Sequence, residues 1–293
     1  DSLYFTRALW KSYGNLRYVD KAFKWYEIYA GLKRRLGKLE PWEDNTSELA
    51  PLYEALGQPK RALYYALKRT NKHIEYNDTI SSRISGYNNI GVYYKRAGYL
   101  DSAKHYFQKS YDSLQFHLAN GAAEKDPGMI EFQYFLLGNL GDVAILEGEY
   151  EKAIPLLILD LTKSETRRNN ENKAQVYHNL TIAYLETQNL NNAKVCLDSS
   201  QMLFSELFNY EQVNNNNKLY ADYYYKKKDL ERYHLYNEKY YHFKDSLQTA
   251  LRDALFSSQL ILFETEEKER KVEEQKLLLE IQDKEKDILE NEL

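Results

Sequence analysis

The sequence predicts an all-α chain folded as an α-solenoid of about six helical hairpins, and three observations carry that expectation. Ala22, Ala62, Ala103, Ala153 and Ala193 recur at intervals of 40, 41, 50 and 40 residues, and Tyr233 continues the series 40 further on. A similar local pattern surrounds each of these positions. All 12 Gly and all 5 Pro fall within the first 155 residues, so no helix breaker occurs from Leu156 to Leu293. Self-similarity at this period marks hairpins that cannot bury their apolar faces alone and must stack on their neighbours.

The hairpins are read in order. The first carries Leu9, Trp10, Tyr13, Tyr18 and Ala22; the second carries Leu49, Ala50, Tyr53, Gly57 and Ala62. The third is the fullest, with Tyr87, Ile90, Gly91 and Tyr94, then Gly98, Tyr99, Leu100, Asp101, Ala103 and Phe107. The fourth has Leu137, Leu140, Gly141, Gly148, Tyr150 and Ala153, and the fifth has Tyr177, Leu180, Tyr184, Leu190 and Ala193. The sixth, with Ala221, Tyr224, Leu230 and Tyr233, is the weakest, as a terminal unit of a stack commonly is. Small residues at the Gly91 and Ala103 positions let two helices cross closely. The tyrosine three residues after the first of them fills space beside that crossing and keeps its hydroxyl near solvent. Gly98 and Gly148 fall where the first helix must stop, because Gly accepts a left-handed C-cap at little cost.

This pattern resembles the tetratricopeptide repeat, whose signature is a large residue, Leu-Gly, Tyr, Ala and Phe at fixed offsets. The resemblance covers roughly residues 3 to 245 and implies a right-handed solenoid with a concave binding groove. The period of 40 exceeds the usual 34, so each helix should be almost a turn longer, adding about 4 to 5 Å. The single interval of 50 contains His117 to Met129, with Gly121, Pro127 and Gly128, and reads as a loop inserted between the third and fourth units.

In this register the sixth motif position points into the groove, and Asn89, Asn139 and Asn179 occupy it in three consecutive units. A side-chain amide bonds both the C=O and the N–H of an extended peptide. The resemblance implies such a ladder gripping peptide backbone. Around it the register places Arg7, Lys11, Asn88, Lys95, Asp142, His178, Lys218, Asp222 and Tyr225. The Lys and Asn set with which chaperone-binding relatives hold an acidic C-terminus is incomplete, since Val92 stands where an Asn is needed. The groove's expected occupant is a peptide or protein, with a small ligand as the other kind it would accept.

Net charge of −4 and a pI near 6.0 supply no basic stripe, so direct nucleic-acid binding by this segment is not expected. The lone Cys196 sits on a second helix and reads as a packed thiol. No HExxH, Walker loop, dinucleotide fingerprint or nucleophile elbow occurs. His234 and Glu238 stand at i, i+4 with no identifiable third ligand, which favours a solvent-facing pair over a metal site. No enzyme and no cofactor are expected.

Residues 1–245 are assigned to the solenoid and 246–293 to a capping helix that continues into a Glu/Lys-rich solvated one. Leu247, Leu251, Leu255 and Leu262 keep a helical apolar stripe, and pairs such as Glu264 with Lys268 and Glu280 with Lys284 follow it. An interrupted seam over residues 264–293 offers a homodimer contact, weighed against a protruding single helix. The longest apolar candidate for a membrane span, Leu255 to Phe263, is too short and is broken by Ser257, Ser258 and Gln259. Repeats rich in Tyr and Asn, then Lys244 to Leu247 and a Glu/Lys-rich helix, are similar in layout to the sensor region of membrane-bound bacterial regulators. That similarity implies a non-catalytic sensory domain on the periplasmic face, tied to the membrane only by a segment beyond Leu293. A soluble cytoplasmic assembly adaptor is the other function the repeats would serve.

Overall fold

The computed structural model describes residues 2–15, 18–38, 49–55, 57–76, 79–122, 128–163, 170–246 and 271. Among the described residues between 2 and 246 there are twelve helices and no strand. The chain divides into two compact units. One holds the hairpin of α1 (Ser2–Asn15) and α2 (Val19–Arg35). There Trp10 occupies the position that other units give to a small residue, and it packs edge-on against Tyr26 with ring centroids 5.7 Å apart.

The other unit spans Lys38–Gln248. Its hairpins are α3 (Ala50–Ala55) with α4 (Pro59–Tyr76), α5 (Ile80–Arg96) with α6 (Leu100–His117), and α7 (Gly128–Glu147) with α8 (Tyr150–Lys163). Next come α9 (Asn170–Glu186) with α10 (Leu190–Glu206), and α11 (Tyr210–Lys226) with α12, residues 230–246. Helices of 17 or 18 residues in α4, α5, α6, α9, α10 and α11 match the extra length that the long period requires.

Spacing, burial and caps agree on the register. Ala22, Ala62, Ala103, Ala153 and Ala193 are all 0% exposed. Twelve residues before the last four of them, and before Tyr233, stand Ala50, Gly91, Gly141, Thr181 and Ala221, all buried. A Cβ added to Gly141 would lie 3.0 Å from Leu157 Cγ, so the α7–α8 crossing is close enough to leave little room for a side chain there. In the second, third and fourth hairpins the inner turn is the same left-handed cap, with φ +68° at Gly57, +82° at Gly98 and +77° at Gly148. Tyr99 N–H donates to the Tyr94 carbonyl and Gly98 N–H to the Lys95 carbonyl, the paired bonds of a Schellman motif. In the later units the same position holds Gln188 (φ 60°) and Lys228 (φ 61°), which sequence inspection for glycine passes over. One tyrosine departs from expectation: Tyr53 is 1% exposed, its ring stacked on Tyr65 at 5.0 Å.

Two further departures have physical causes. Of the segment His117 to Met129 expected as a loop, His117 ends α6, Leu118–Ala122 form a π turn with Gly121 at φ +83°, Gly128 and Met129 already belong to α7, and residues 123–127 lie outside the described residues. Leu255 to Phe263 lies outside the described residues, and among those described the helix long and apolar enough to cross a membrane is α7, with mean hydropathy 1.2 over an 18-residue window. It packs against α5, α6, α8 and α9, so it needs no polar face.

The stack has a direction of bend. First helices meet across repeats, α5 with α7, α7 with α9 and α9 with α11, whereas among the described residues α6, α8 and α10 do not meet one another. A row of hairpins touching along one edge and splayed along the other curves toward the touching edge, which puts the first helices on the concave side. The capping and Glu/Lys-rich helices expected over 246–293, with their dimer seam, lie outside the described residues apart from Ser246, which ends α12, and Lys271.

Candidate ligand-binding face

The first helices carry a line of polar side chains where α5, α7, α9 and α11 approach. Asn88 and Lys95 lie two turns apart on one face of α5; Asn139 and Asp142 lie one turn apart on α7. The Asn139 amide nitrogen donates to Asn88 Oδ1 at 2.8 Å, joining the third unit to the fourth. Lys95 Nζ pairs with Asp142 Oδ2 at 2.6 Å across the same junction. Asp142 accepts a second bond from the Asn179 amide, and Asn179 in turn accepts from Gln175 at 3.1 Å. One carboxylate thus ties three consecutive repeats together. With side chains 19% and 16% exposed, Lys95 and Asp142 interact far from full solvent screening.

Toward the C-terminus the line continues through His178, whose Nδ1 lies 2.7 Å from Asn216 Oδ1. The Asn216 amide nitrogen donates to Ser200 Oγ at 3.0 Å, and Ser200 donates to the Ala174 carbonyl at 3.1 Å. Because Asn216 uses its nitrogen on Ser200, its oxygen must accept from the imidazole; the proton of neutral His178 therefore sits on Nδ1. Burial lowers the pKa of His178 below the ordinary value of 6.5, outweighing the opposing effects of the Asn216 bond and the Asp142 charge. The ring is neutral at pH 7.

Hydrogen-bonding capacity stays open between α5 and α7. Asn139 Oδ1 and Asn88 Nδ2 have no partner among the described residues, and neither is sealed from solvent. The pair thus keeps an acceptor on Asn139 and a donor on Asn88, the two kinds of group with which a peptide unit bonds.

Of the expected ladder, Asn139 and Asn179 lie on this line, both 8% exposed, whereas Asn89 is exposed and faces elsewhere. The α5 member that joins is its neighbour Asn88, because consecutive helical residues point about 100° apart and α5 turns its 88 side to α7. Asn89 instead lines a cleft between α3, α4 and α5. Lys218 and Asp222 pair with each other at 3.0 Å along α11, and Tyr225 is 62% exposed beside Tyr233. Arg7 and Lys11 are exposed on α1, with Lys11 Nζ 5.7 Å from the centre of the Trp10 ring. His234 and Glu238 are exposed on α12. Sequence reasoning missed Gln175, Ser200 and Asn216; the signal available was the run of four asparagines at 214–217, of which Asn214 and Asn216 are buried.

No protein-family model matches the sequence, and no curated relative matches it either. Solved structures do. The apo form of RapI aligns with a TM-score of 0.55 at 14% identity, over 85% of this chain and 100% of that one. Aspartyl phosphate phosphatase F from Bacillus subtilis aligns at 0.55 and 16% identity, over 87% and 70%. BtubC (BKLC) from P. vanneervenii aligns at 0.52 and 16% identity, over 78% and 92%. The fold is a tetratricopeptide-type solenoid. At these identities the likeness extends to the fold alone.

Proposed function

We propose that the chain is a non-catalytic scaffold that binds an extended peptide or protein segment along its first-helix face, and that it serves as the sensory region of a signal-transducing transcriptional regulator. The observation that carries the binding reading is the Asn88–Asn139 pair, which leaves a donor and an acceptor open on the concave side between two repeats. Peptide main chain offers the matching pair of groups regardless of sequence. The Asp142 bridge gives such an occupant leverage, since a ligand seated at this junction touches residues whose partners lie in three repeats. Small shifts at each inter-repeat contact would then add up to a change in curvature.

Peptides selected from a random displayed library against the whole chain test the binding reading. Asn88→Ala with Asn139→Ala should abolish their capture while circular dichroism stays that of the wild type, and undiminished capture refutes it. The regulator reading rests on the layout of repeats and Glu/Lys-rich tail, and it puts the domain on the periplasmic face. It predicts that the gene continues past Leu293 into a span of about 20 apolar residues; a stop codon there removes it.

A further inference from the structure

The sixth hairpin lacks a large side chain that the three before it supply. Tyr87, Leu137 and Tyr177 stand four residues before the small residue of the helix crossing, and Asn217 takes that position in α11. Beside Asn217 lies a cavity of about 440 Å³, within the range of small-molecule sites. Val213, Asn214 and Asn217 of α11 line it together with Leu235, Lys239 and Phe243 of α12. Glu238 and His242, both exposed on α12, also border it. A helical side chain leans over the turn that precedes it, so a ring at position 217 would lie over Val213 and Asn214, which are walls of this space. The amide does not fill it. Asn217 Nδ2 donates back to Asn214 Oδ1 at 3.4 Å, and Asn214 Nδ2 donates to the Tyr240 carbonyl at 3.2 Å, which holds the short side chain against its own helix.

The third hairpin shows the same place occupied. There Tyr106 stacks on Tyr94 with ring centroids 5.4 Å apart, and the Tyr87 ring lies 6.2 Å from Tyr106. Lys109 Nζ stands 4.3 Å from the centre of the Tyr87 ring. In the sixth hairpin the counterparts of Tyr94, Tyr106 and Lys109 are Tyr224, Tyr236 and Lys239, each 130 positions further on (94 to 224, 106 to 236, 109 to 239). Tyr224 and Tyr236 stack at 5.6 Å, and Lys239 Nζ lies 5.0 Å from the centre of the Tyr236 ring. Three members of the cluster recur, and the ring that belongs beneath the lysine does not. The walls suit such a ring: Val213, Leu235 and Phe243 offer apolar contact, Leu235 while still 47% exposed, and an ammonium is attracted to the face of an aromatic group.

We propose that this cavity binds a small molecule through a benzene-type ring, seated as the Tyr87 ring is seated in the third hairpin, with Lys239 over its face. The site lies between α11 and α12, apart from the Asn88–Asn139 pair, so it stands or falls independently of the groove reading.

The test is a backbone-amide NMR titration of the whole chain with two probes of similar size, p-cresol and 4-methylcyclohexanol. Saturable shifts over residues 210–217 and 235–243 are expected with p-cresol. The cyclohexanol keeps the hydroxyl but has no aromatic face, and should bind about two- to fivefold more weakly. Lys239→Gln should weaken p-cresol by the same factor and leave the cyclohexanol unchanged. Asn217→Tyr supplies the ring from the chain itself, so it should abolish the p-cresol shifts and raise the melting temperature, as cavity filling does. Absence of saturable shifts, equal binding of the two probes, or undiminished p-cresol binding in Asn217→Tyr overturns the proposal. Lys239 is exposed, so Lys239→Gln retains the fold, and wild-type affinity for p-cresol in that variant overturns it even if Asn217→Tyr does not fold.

Discussion

Replacing Gly91 by alanine sets two effects of opposite sign against each other. Gly91 stands where α5 crosses α6, and an added Cβ would lie 2.7 Å from both Cδ1 and Cε1 of Phe107 and 3.1 Å from its Cγ. Carbon atoms rest about 3.5–4.0 Å apart, so the overlap is close to 1 Å against two ring atoms at once. Phe107 is 0% exposed and packed with Ala103 and Val143, which leaves the ring no direction of retreat. Overpacking of this kind costs about 1–3 kcal/mol, and a double ring clash belongs in the upper half of that range. In the other direction, alanine in a helix interior is favoured over glycine by about 1 kcal/mol. The clash wins, and the expected net loss is about 1–2 kcal/mol. Urea denaturation followed by circular dichroism should show a lower midpoint with an unchanged slope. Adding Phe107→Leu to Gly91→Ala should recover part of the loss through a coupling of at least about 0.5 kcal/mol. Gly141→Ala meets Leu157 and Leu156 at 3.0–3.3 Å and should be nearly neutral by comparison. A Gly91→Ala protein as stable as the wild type, or more stable, would refute the close-crossing argument, since propensity alone predicts that outcome.

Gln188 and Lys228 sit at φ 60° and 61° where earlier units use glycine, so Gln188→Gly and Lys228→Gly should each stabilise the fold by about 0.5–1 kcal/mol. Unchanged or lowered melting temperatures in both would show that the caps carry no conformational cost. Asp142→Asn strips Lys95 of its counter-charge at a half-buried junction and should destabilise by about 1–3 kcal/mol, with amide exchange accelerated in α5, α7 and α9. Exchange raised in α7 alone would mean that Asp142 does not bridge repeats. His178 is held below 6.5 chiefly by burial, so its contribution is present above that pH and is lost as acid protonates the unfolded chain preferentially. Stability should therefore fall below pH 6.5 more steeply in the wild type than in His178→Gln, and parallel pH profiles would contradict this. Burial pushes the Cys196 thiol from 9.0 to about 11, so at pH 8 alkylation of the folded chain should run about 100-fold slower than after unfolding. Equal rates would place the thiol outside the packed interface.

The repeat, its period and the positions of closest helix contact are written locally, and for that reason they were legible. An alanine every 40 residues has one physical use in a helical chain, and all five are fully buried. Glycine at a helix end advertises a left-handed cap, but the same cap on Gln188 and Lys228 carries no such sign, because there backbone bonds such as Asn189 N–H to the Tyr184 carbonyl and Asp229 N–H to the Tyr224 carbonyl close the turn without it. Which of Asn88 and Asn89 faces the next repeat was likewise beyond the sequence. Adjacent helical residues differ by one step of rotation, and that step is set by how α5 seats against α4, α6 and α7. The Lys95–Asp142–Asn179 bridge joins residues 47 and 37 positions apart, a relation that no local pattern encodes. Composition and periodicity determined the stack of helix pairs; only the packing of one pair on the next decided which polar side chains meet and which stay open.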